Sequence, residues 1–260
     1  MSAAEPVPMV RTERAGGGIA EIVMNNPPVN ALPAAGWFEV ARQVTEAGCD
    51  PDVRAVILRA EGRGYNAGVD IKELQRTEGF SALLEVNRGC FAAFKAIYEC
   101  AVPVIAAVHG YCLGGGIGLV GNSDVIIAAD DATFGLPEVD RGALGAATHL
   151  SRLVPQHKAR AMVYTSATAT AAELHQFGSV YSVVPADALR ETALAFAGQI
   201  AAKDPLVIRR AKESLNGIDQ WDVNRSYRYE QGFTFELSLA GAGDHARDEF
   251  VAGATRKAAS

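Results

Sequence analysis

Two glycine-rich stretches, NAGVD at 66–70 and LGGG at 113–116, can do chemistry with the main chain alone. Each follows an apolar, strand-like run and precedes a segment of helical spacing. The first N–H groups of a helix lack intrahelical acceptors, and the helix dipole adds positive character, so such turns favour negative charge. Two of them on neighbouring strands could aim two donors at one developing oxyanion, and each donor in such a hole is worth ~2.7–4 kcal/mol in the transition state. Glycine here also suits tight strand–helix packing with no chemical task, and the pattern by itself leaves both readings open. Phosphate loops fit poorly: LGGGIGLVGN does not hold G-x-G-x-x-G in register, and the Walker lysine is missing. His109, His149, His157, His175 and His245 show no ligand spacing, so no metal site is expected. No serine sits in a G-x-S-x-G elbow.

The elements that must position these turns read as an α/β chain. Residues 7–14 and 19–24 are β-like runs joined by Gly16, Gly17 and Gly18, a hairpin pattern. Pro33 opens a helix carrying Trp37, Val40 and Val44 at helical spacing, which Gly48 is placed to stop. VRAVILRA (53–60), VIAAV (104–108) and VIIAA (125–129) are continuous apolar runs, as expected of strands buried on both faces. A helix is predicted over 81–99, a glycine-rich loop over 133–145, and a mostly helical chain beyond Ala146 with one strand near 181–184. The likeliest boundary is Asp204-Pro205, dividing a core at 1–204 from a helical region at 205–260.

The 260 residues are 49% hydrophobic and 21% charged, enough to bury a core without staples. Cys49, Cys90, Cys100 and Cys112 lie far apart with no C-x-x-C pair, and read as reduced, buried residues of a cytoplasmic protein. No signal peptide or membrane-spanning run is present, so no membrane association is expected. A net charge of −6 with scattered lysine and arginine argues against a nucleic-acid partner, though a local anionic ligand is compatible with it.

PPVNAL, YNAGVDIKE, PVIAAVHGYCLGGG and DATFGLPEV, in this order and at these intervals, resemble the crotonase (enoyl-CoA hydratase/isomerase) family over roughly residues 7–200. The resemblance implies a spiral of repeated ββα units, a helical C-terminal region that builds a homo-trimer or a dimer of trimers, and an acyl-CoA substrate. Coenzyme A then enters as part of the substrate, with no prosthetic group. Carried over by position, the oxyanion hole belongs to the N–H groups of Ala67 and Gly115. The loop Ala67–Val69–Asp70–Ile71 would cradle CoA, with Val29 and Ala31 along the opposite side and Lys72 toward phosphate. Asp70 could instead merely cap the next helix, with Glu73 closing an Asp-x-x-Glu box. Tyr65 and His109 stand near enough to reach the pocket, although packing suits each.

Relatives that hydrate enoyl-CoA use two glutamates. One matches Glu138; the other falls on Gly118, which cannot hold water. One carboxylate beside an oxyanion hole suits single-proton isomerisation, or cleavage of a carbon–carbon bond beside a carbonyl. Asp140 is a second carboxylate of the same loop; were both to face the pocket, repulsion and burial would split their acid and base roles. A glycine at 118, with Ala143, Gly145 and Ala146, also predicts room for a bulky acyl group. EGRGYNAGVDIKELQRTEGF, NRGCFAAFKAIYECAVPVIAAV, GNSDVIIAADDATFGLPEVDRGALGAATHLSRLVPQH and YRYEQGFTFEL are similar to one actinobacterial branch, ring-opening hydrolases of steroid C/D-ring degradation. That likeness implies retro-Claisen hydrolysis of a bicyclic β-diketone CoA thioester. An enoyl-CoA hydratase or isomerase and a non-catalytic crotonase-shaped binding protein are the alternatives. The aromatic tail (Trp221, Tyr227, Tyr229, Phe233, Phe235) reads as core or subunit contact, and HARDEFV at 245–251 only loosely echoes the family's ending.

Overall fold

The structure, a computed structural model, describes residues 8–76, 80–220 and 222–242. Trp221, His245 and the HARDEFV segment lie outside these residues, as does the end of the 205–260 region. The glycine-linked hairpin is present: β1 (Val10–Gly16) pairs antiparallel with β2 (Ile19–Met24). α1 (Ala34–Cys49), β3 (Ala55–Ala60), α2 (Ile71–Arg76), α3 (Ser81–Tyr98) and β4 (Val104–Val108) follow. Next come β5 (Tyr111–Leu113), α4 (Gly115–Gly121), β6 (Val125–Ala129), β7 (Thr133–Gly135) and α5 (Ala147–Leu150). α6 (Gln156–Thr165), β8 (Thr168–Thr170), α7 (Ala171–Gln176), β9 (Ser182–Val184), α8 (Leu189–Ala201), α9 (Pro205–Gly217) and α10 (Val223–Leu239) complete the chain.

The three apolar runs form the middle of a six-stranded sheet ordered β1-β2-β3-β4-β6-β9, parallel from β2 onward. Alternate side chains leave opposite faces of a strand, so Val56, Leu58, Val104 and Ala106 pack toward α1 and α3. Ile57, Ile105 and Ile127 join Leu189, Ala193 and Ala197 of α8 on the other side. β2 buries Glu21 completely. Arg59 (2.6 Å) and Arg190 (2.5 Å) pair with it, tying β3 and α8 to the hairpin. Burial pushes the Glu21 carboxyl up, but the two arginines outweigh it and hold it below the usual range.

Several boundaries differ from expectation. Gly48 does not end α1, which continues to Cys49; it is glycine because a Cβ there would lie 3.0 Å from Cys100 Sγ. Cys49 is exposed, unlike the other three cysteines. β5, β7 and β8 form a second, three-stranded sheet where a loop and the start of a helix were expected. Three-residue strands show no readable alternation, and their glycine neighbours mimic loop composition. At the predicted boundary Asp204 caps α9, its carboxylate accepting from the N–H groups of Leu206 (2.9 Å) and Val207 (3.0 Å), with Pro205 in the first turn.

Candidate active site

Asn66 builds the first glycine turn. Its fully buried side chain donates from Nδ2 to Asn30 O (2.6 Å) and accepts from Gly68 N–H at Oδ1 (2.8 Å), passing over Ala67. Its main chain is fastened to β5, donating to Tyr111 O (3.2 Å) and accepting from Leu113 N–H (2.8 Å). Asn30 is locked in turn, its Nδ2 donating to Glu61 O (2.7 Å) and Gly64 O (2.8 Å). Among the described residues nothing accepts from Ala67 N–H.

The second turn requires glycine. Gly114 sits at φ 57°, ψ −120°, and a Cβ on it would stand 2.6 Å from Glu138 Oε1. Its N–H is spent on Gly135 O (3.0 Å), which ties the turn to β7. Gly115 then opens α4, and its N–H has no acceptor among the described residues. The two turns touch: a Cβ on Gly68 would lie 3.2 Å from Gly115 N. Trp37 backs Gly115, held by its Nε1 donating to Leu32 O (2.9 Å). Ala67 and Gly115 thus face one cavity of about 900 Å3, counted out to the surrounding solvent.

Glu138 stands across from them. β7 ends at Gly135, and Glu138 starts a 3-10 turn over Val139–Arg141 that is closed by Arg141 N–H and Ala143 N–H donating to Glu138 O (2.9 and 3.0 Å). Its carboxylate is enclosed, and Oε2 has no hydrogen-bond partner among the described residues. Burial raises the carboxyl from 4.5 to about 8; its own N–H and Arg141 pull downward, and Glu230 adds to the rise. A carboxyl poised near neutrality can both take and return a proton.

Asp140 does not join it. The side chain is exposed and absent from the cavity lining, so the two carboxylates do not share the pocket. The room expected at Gly118 is also not there: a Cβ would lie 2.1 Å from Phe94 Cζ, because the ring fills that place. Phe94 is held edge-on by Trp37 (centroids 5.8 Å) and His149 (4.9 Å), with Tyr227 at 5.1 Å. Space for an acyl group lies instead beside Ala143, Gly145 and Ala146.

Of the residues expected to cradle CoA, Val69 and Ile71 line the cavity; Val29, Ala31, Asp70 and Lys72 do not. Val29 and Ala31 flank the stretch whose Leu32 pairs with Val69, and Lys72 is exposed. Asp70 caps α2 by accepting from Lys72 N–H (3.0 Å), but Glu73 does not close the box; it accepts from Ala34 N–H (2.8 Å) at the start of α1. Tyr65 is wholly buried away from the cavity, its hydroxyl without a partner among the described residues. His109 is occupied with Gly62 O (2.9 Å).

α10 supplies what the sequence reading missed. Tyr227, Thr234 and Ser238 line the cavity. Glu230 accepts from the N–H groups of Ala147 (2.7 Å) and Thr148 (3.1 Å), Thr234 Oγ1 donates to Leu144 O (2.6 Å), and Gln231 Nε2 donates to Asn87 O (2.8 Å). The helix thereby pins the wall that follows Glu138. The polar positions 230, 231 and 234 within an aromatic run were the available signal. His149 is buried, with neither ring nitrogen partnered among the described residues; burial lowers it to about 3, so it stays neutral.

Residues 14–236 match the family described as enoyl-CoA hydratase/isomerase. The chain is 68% identical over 234 residues to the (7aS)-7a-methyl-1,5-dioxo-2,3,5,6,7,7a-hexahydro-1H-indene-carboxyl-CoA hydrolase of Mycobacterium tuberculosis (strain ATCC 25618 / H37Rv), covering 90% of this chain and 95% of that one. It is 64% identical to the protein of the same name from Rhodococcus jostii (strain RHA1), covering 91% and 92%. The crystal structure of an enoyl-CoA hydratase/isomerase from Xanthobacter autotrophicus Py2 superposes with a TM-score of 0.86 at 29% identity, over 96% of this chain and 94% of that one.

Proposed function

The chain belongs to the enoyl-CoA hydratase/isomerase (crotonase) family, and from that premise we propose that it is a hydrolase opening one ring of a bicyclic diketone CoA thioester in steroid breakdown. The observation that carries the reading is the composition of the site: one enclosed carboxylate, Glu138, faces two unspent amides, and a phenylalanine ring fills the place opposite. A two-carboxylate hydration has no second group to hold its water there. The similarity to two hydrolases named for such a substrate supports the choice.

In the proposed reaction the thioester oxygen lies between Ala67 N–H and Gly115 N–H. Glu138 takes a proton from water, and the water oxygen bonds to the ring ketone carbon. The tetrahedral intermediate collapses, and the carbon–carbon bond breaks. Its electron pair passes into an enolate conjugated with the thioester, which the two amides stabilise. Glu138 returns the proton to that carbon, while the former ketone leaves as a carboxylic acid, ionised at neutral pH. All the steps use water and this chain's own groups, so no prosthetic group or metal is invoked; no metal-holding cluster occurs among the described residues.

We place the protein in the cytoplasm, in keeping with its free cysteines; among the described residues no helix is long and apolar enough to cross a membrane. Residues 1–204 would form the catalytic spiral and 205–260 the region that joins subunits into a trimer or a pair of trimers. The exposed Leu206, Val207, Leu215 and Ile218 of the α9 region suit burial in such a contact. The decisive assay offers the purified protein crotonyl-CoA and, separately, the bicyclic diketone CoA ester. Ring opening with little hydration is expected. Fast hydration without ring opening would overturn the proposal, and CoA binding with inertness toward both would favour a non-catalytic role.

A further inference from the structure

We propose that the main-chain N–H of Gly145 is a second oxyanion donor, meeting the ring-ketone oxygen while water adds to the ketone carbon. The role rests on the ring-opening reading, which creates negative charge on two oxygens and so far houses one.

The enolate charge reaches the thioester oxygen, where Ala67 and Gly115 would take it. An earlier charge falls on the ketone oxygen, as the water oxygen bonds to the ketone carbon and Glu138 removes the proton. The two oxygens sit on different carbons of the substrate, so one pair of amides cannot serve both. Beyond Glu138 the same loop continues as cavity wall.

On that wall Leu144, Gly145 and Ala146 line the cavity, and among the described residues none of their N–H groups has an acceptor. Enclosed main-chain donors call for a partner. Gly145 is the approachable one, since Ala146 is packed into the apolar core. Leu144 O and Gly145 N–H are opposite edges of one planar peptide. Thr234 Oγ1 donates to that oxygen (2.6 Å), so its hydroxyl fixes where the Gly145 N–H points. Ala143 N–H on Glu138 O (3.0 Å) holds one end of the stretch. Glu230 holds the other, and by accepting from Ala147 and Thr148 it uses up the first donors of α5.

The residue type at 145 points the same way. Elsewhere on the cavity wall Gly68, Gly114 and Gly142 have positive φ, and a Cβ on Gly115 would stand 2.6 Å from Trp37. Gly145 has neither reason: its φ lies outside the left-handed region, and a Cβ there would meet nothing within 4 Å. Neither backbone nor packing requires glycine at this position, whereas a ligand coming up to the main chain does. Glu138 Oε2, enclosed in the same cavity and without a partner among the described residues, marks that space independently as a ligand's.

The test replaces the Gly145 amide by an ester, through glycolic acid at position 145, which deletes the N–H and keeps the shape of the chain. In the E138Q background, which should bind without turnover, the bicyclic thioester carries an isotopic label at the ketone carbon that water attacks, and its stretch is read by isotope-edited infrared. The ketone band should lie at lower wavenumber with the amide than with the backbone ester. With Glu138 restored, the same replacement should slow ring opening about 100- to 1000-fold, with KM little changed. Gly145→Ala keeps the N–H and puts a methyl group in the approach. It should weaken binding of the bicyclic thioester about 5- to 100-fold and leave CoA affinity alone. One band position for both backbones, or ring opening slowed by less than roughly threefold, overturns the proposal. So does a Gly145→Ala protein that binds the bicyclic thioester as the wild type does, which also decides the matter should the ester-linked chain not fold. If the wild type opens no ring, the ring-opening reading fails, and the band still reports whether Gly145 meets the ketone.

Discussion

Replacing Glu138 by glutamine keeps the size and shape of the side chain and removes its ability to ionise. In the folded protein the carboxyl is pushed from 4.5 up to about 8 by burial. The unfolded chain therefore releases this proton first as pH rises, and the folded state holds it over the whole interval. Folding stability attached to this group is fully present below the unfolded value and is lost as pH climbs toward the folded one. Each pH unit in the interval is worth about 1.4 kcal/mol, so the loss approaches ~5 kcal/mol above pH 8 as an upper value. Water entering the cavity beside the ionised group relieves part of it. Glutamine carries whatever its own unmet hydrogen bonds cost at every pH alike. Urea unfolding of both proteins, at one protein concentration and from about pH 5 to about pH 9, gives the difference directly. The wild type should lose ground to the variant steadily across this range, by a few kcal/mol in all. A difference that stays level within about 0.5 kcal/mol, larger than the uncertainty of paired measurements, would show that the carboxyl ionises normally and is not enclosed. Turnover should vanish in the variant while CoA affinity stays near that of the wild type.

Gly118→Ala forces a methyl group to within 2.1 Å of the buried Phe94 ring, and urea unfolding should show a loss of about 1–3 kcal/mol or more. Pairing it with Phe94→Leu should return part of that loss beyond additivity, and strict additivity would deny the contact. Asn66→Ala removes the side chain that bonds Gly68 N–H and Asn30 O. It should cost about 1–3 kcal/mol of stability. It should also lower kcat roughly 100-fold with KM less affected, because the Ala67 amide loses its aim. Unaltered kcat would remove the turn from the oxyanion site.

The long apolar runs and the glycine hairpin were legible because each carries a complete physical pattern over five or more residues. Both glycine turns were legible as turns, though the sequence left tight packing and hydrogen-bond donation as equal explanations; in the structure the amides of Ala67 and Gly115 have no acceptor among the described residues. The small second sheet was hidden by the shortness of its strands. Phe94 was hidden for a different reason: from the sequence it is one apolar position on an amphipathic helix, 24 residues before Gly118 in the numbering, and only packing brings them together. The same holds for α10, where Glu230 and Thr234 act on main-chain groups more than 80 residues away. Contacts to backbone leave no trace in residue type at the far end, so the polar positions 230, 231 and 234 marked α10 as unusual without showing which wall they would pin.

The ring of Phe94 also bears on how such a chain can change over generations. A glutamate introduced at 118 collides with the ring, and shrinking the ring first opens a void among Trp37, His149 and Tyr227. Either single step is unfavourable, by overpacking in one order and by a cavity in the other. Passage to two-carboxylate chemistry thus calls for paired substitutions, and the aromatic plug behaves as a ratchet that keeps descendants of this chain on the single-carboxylate side.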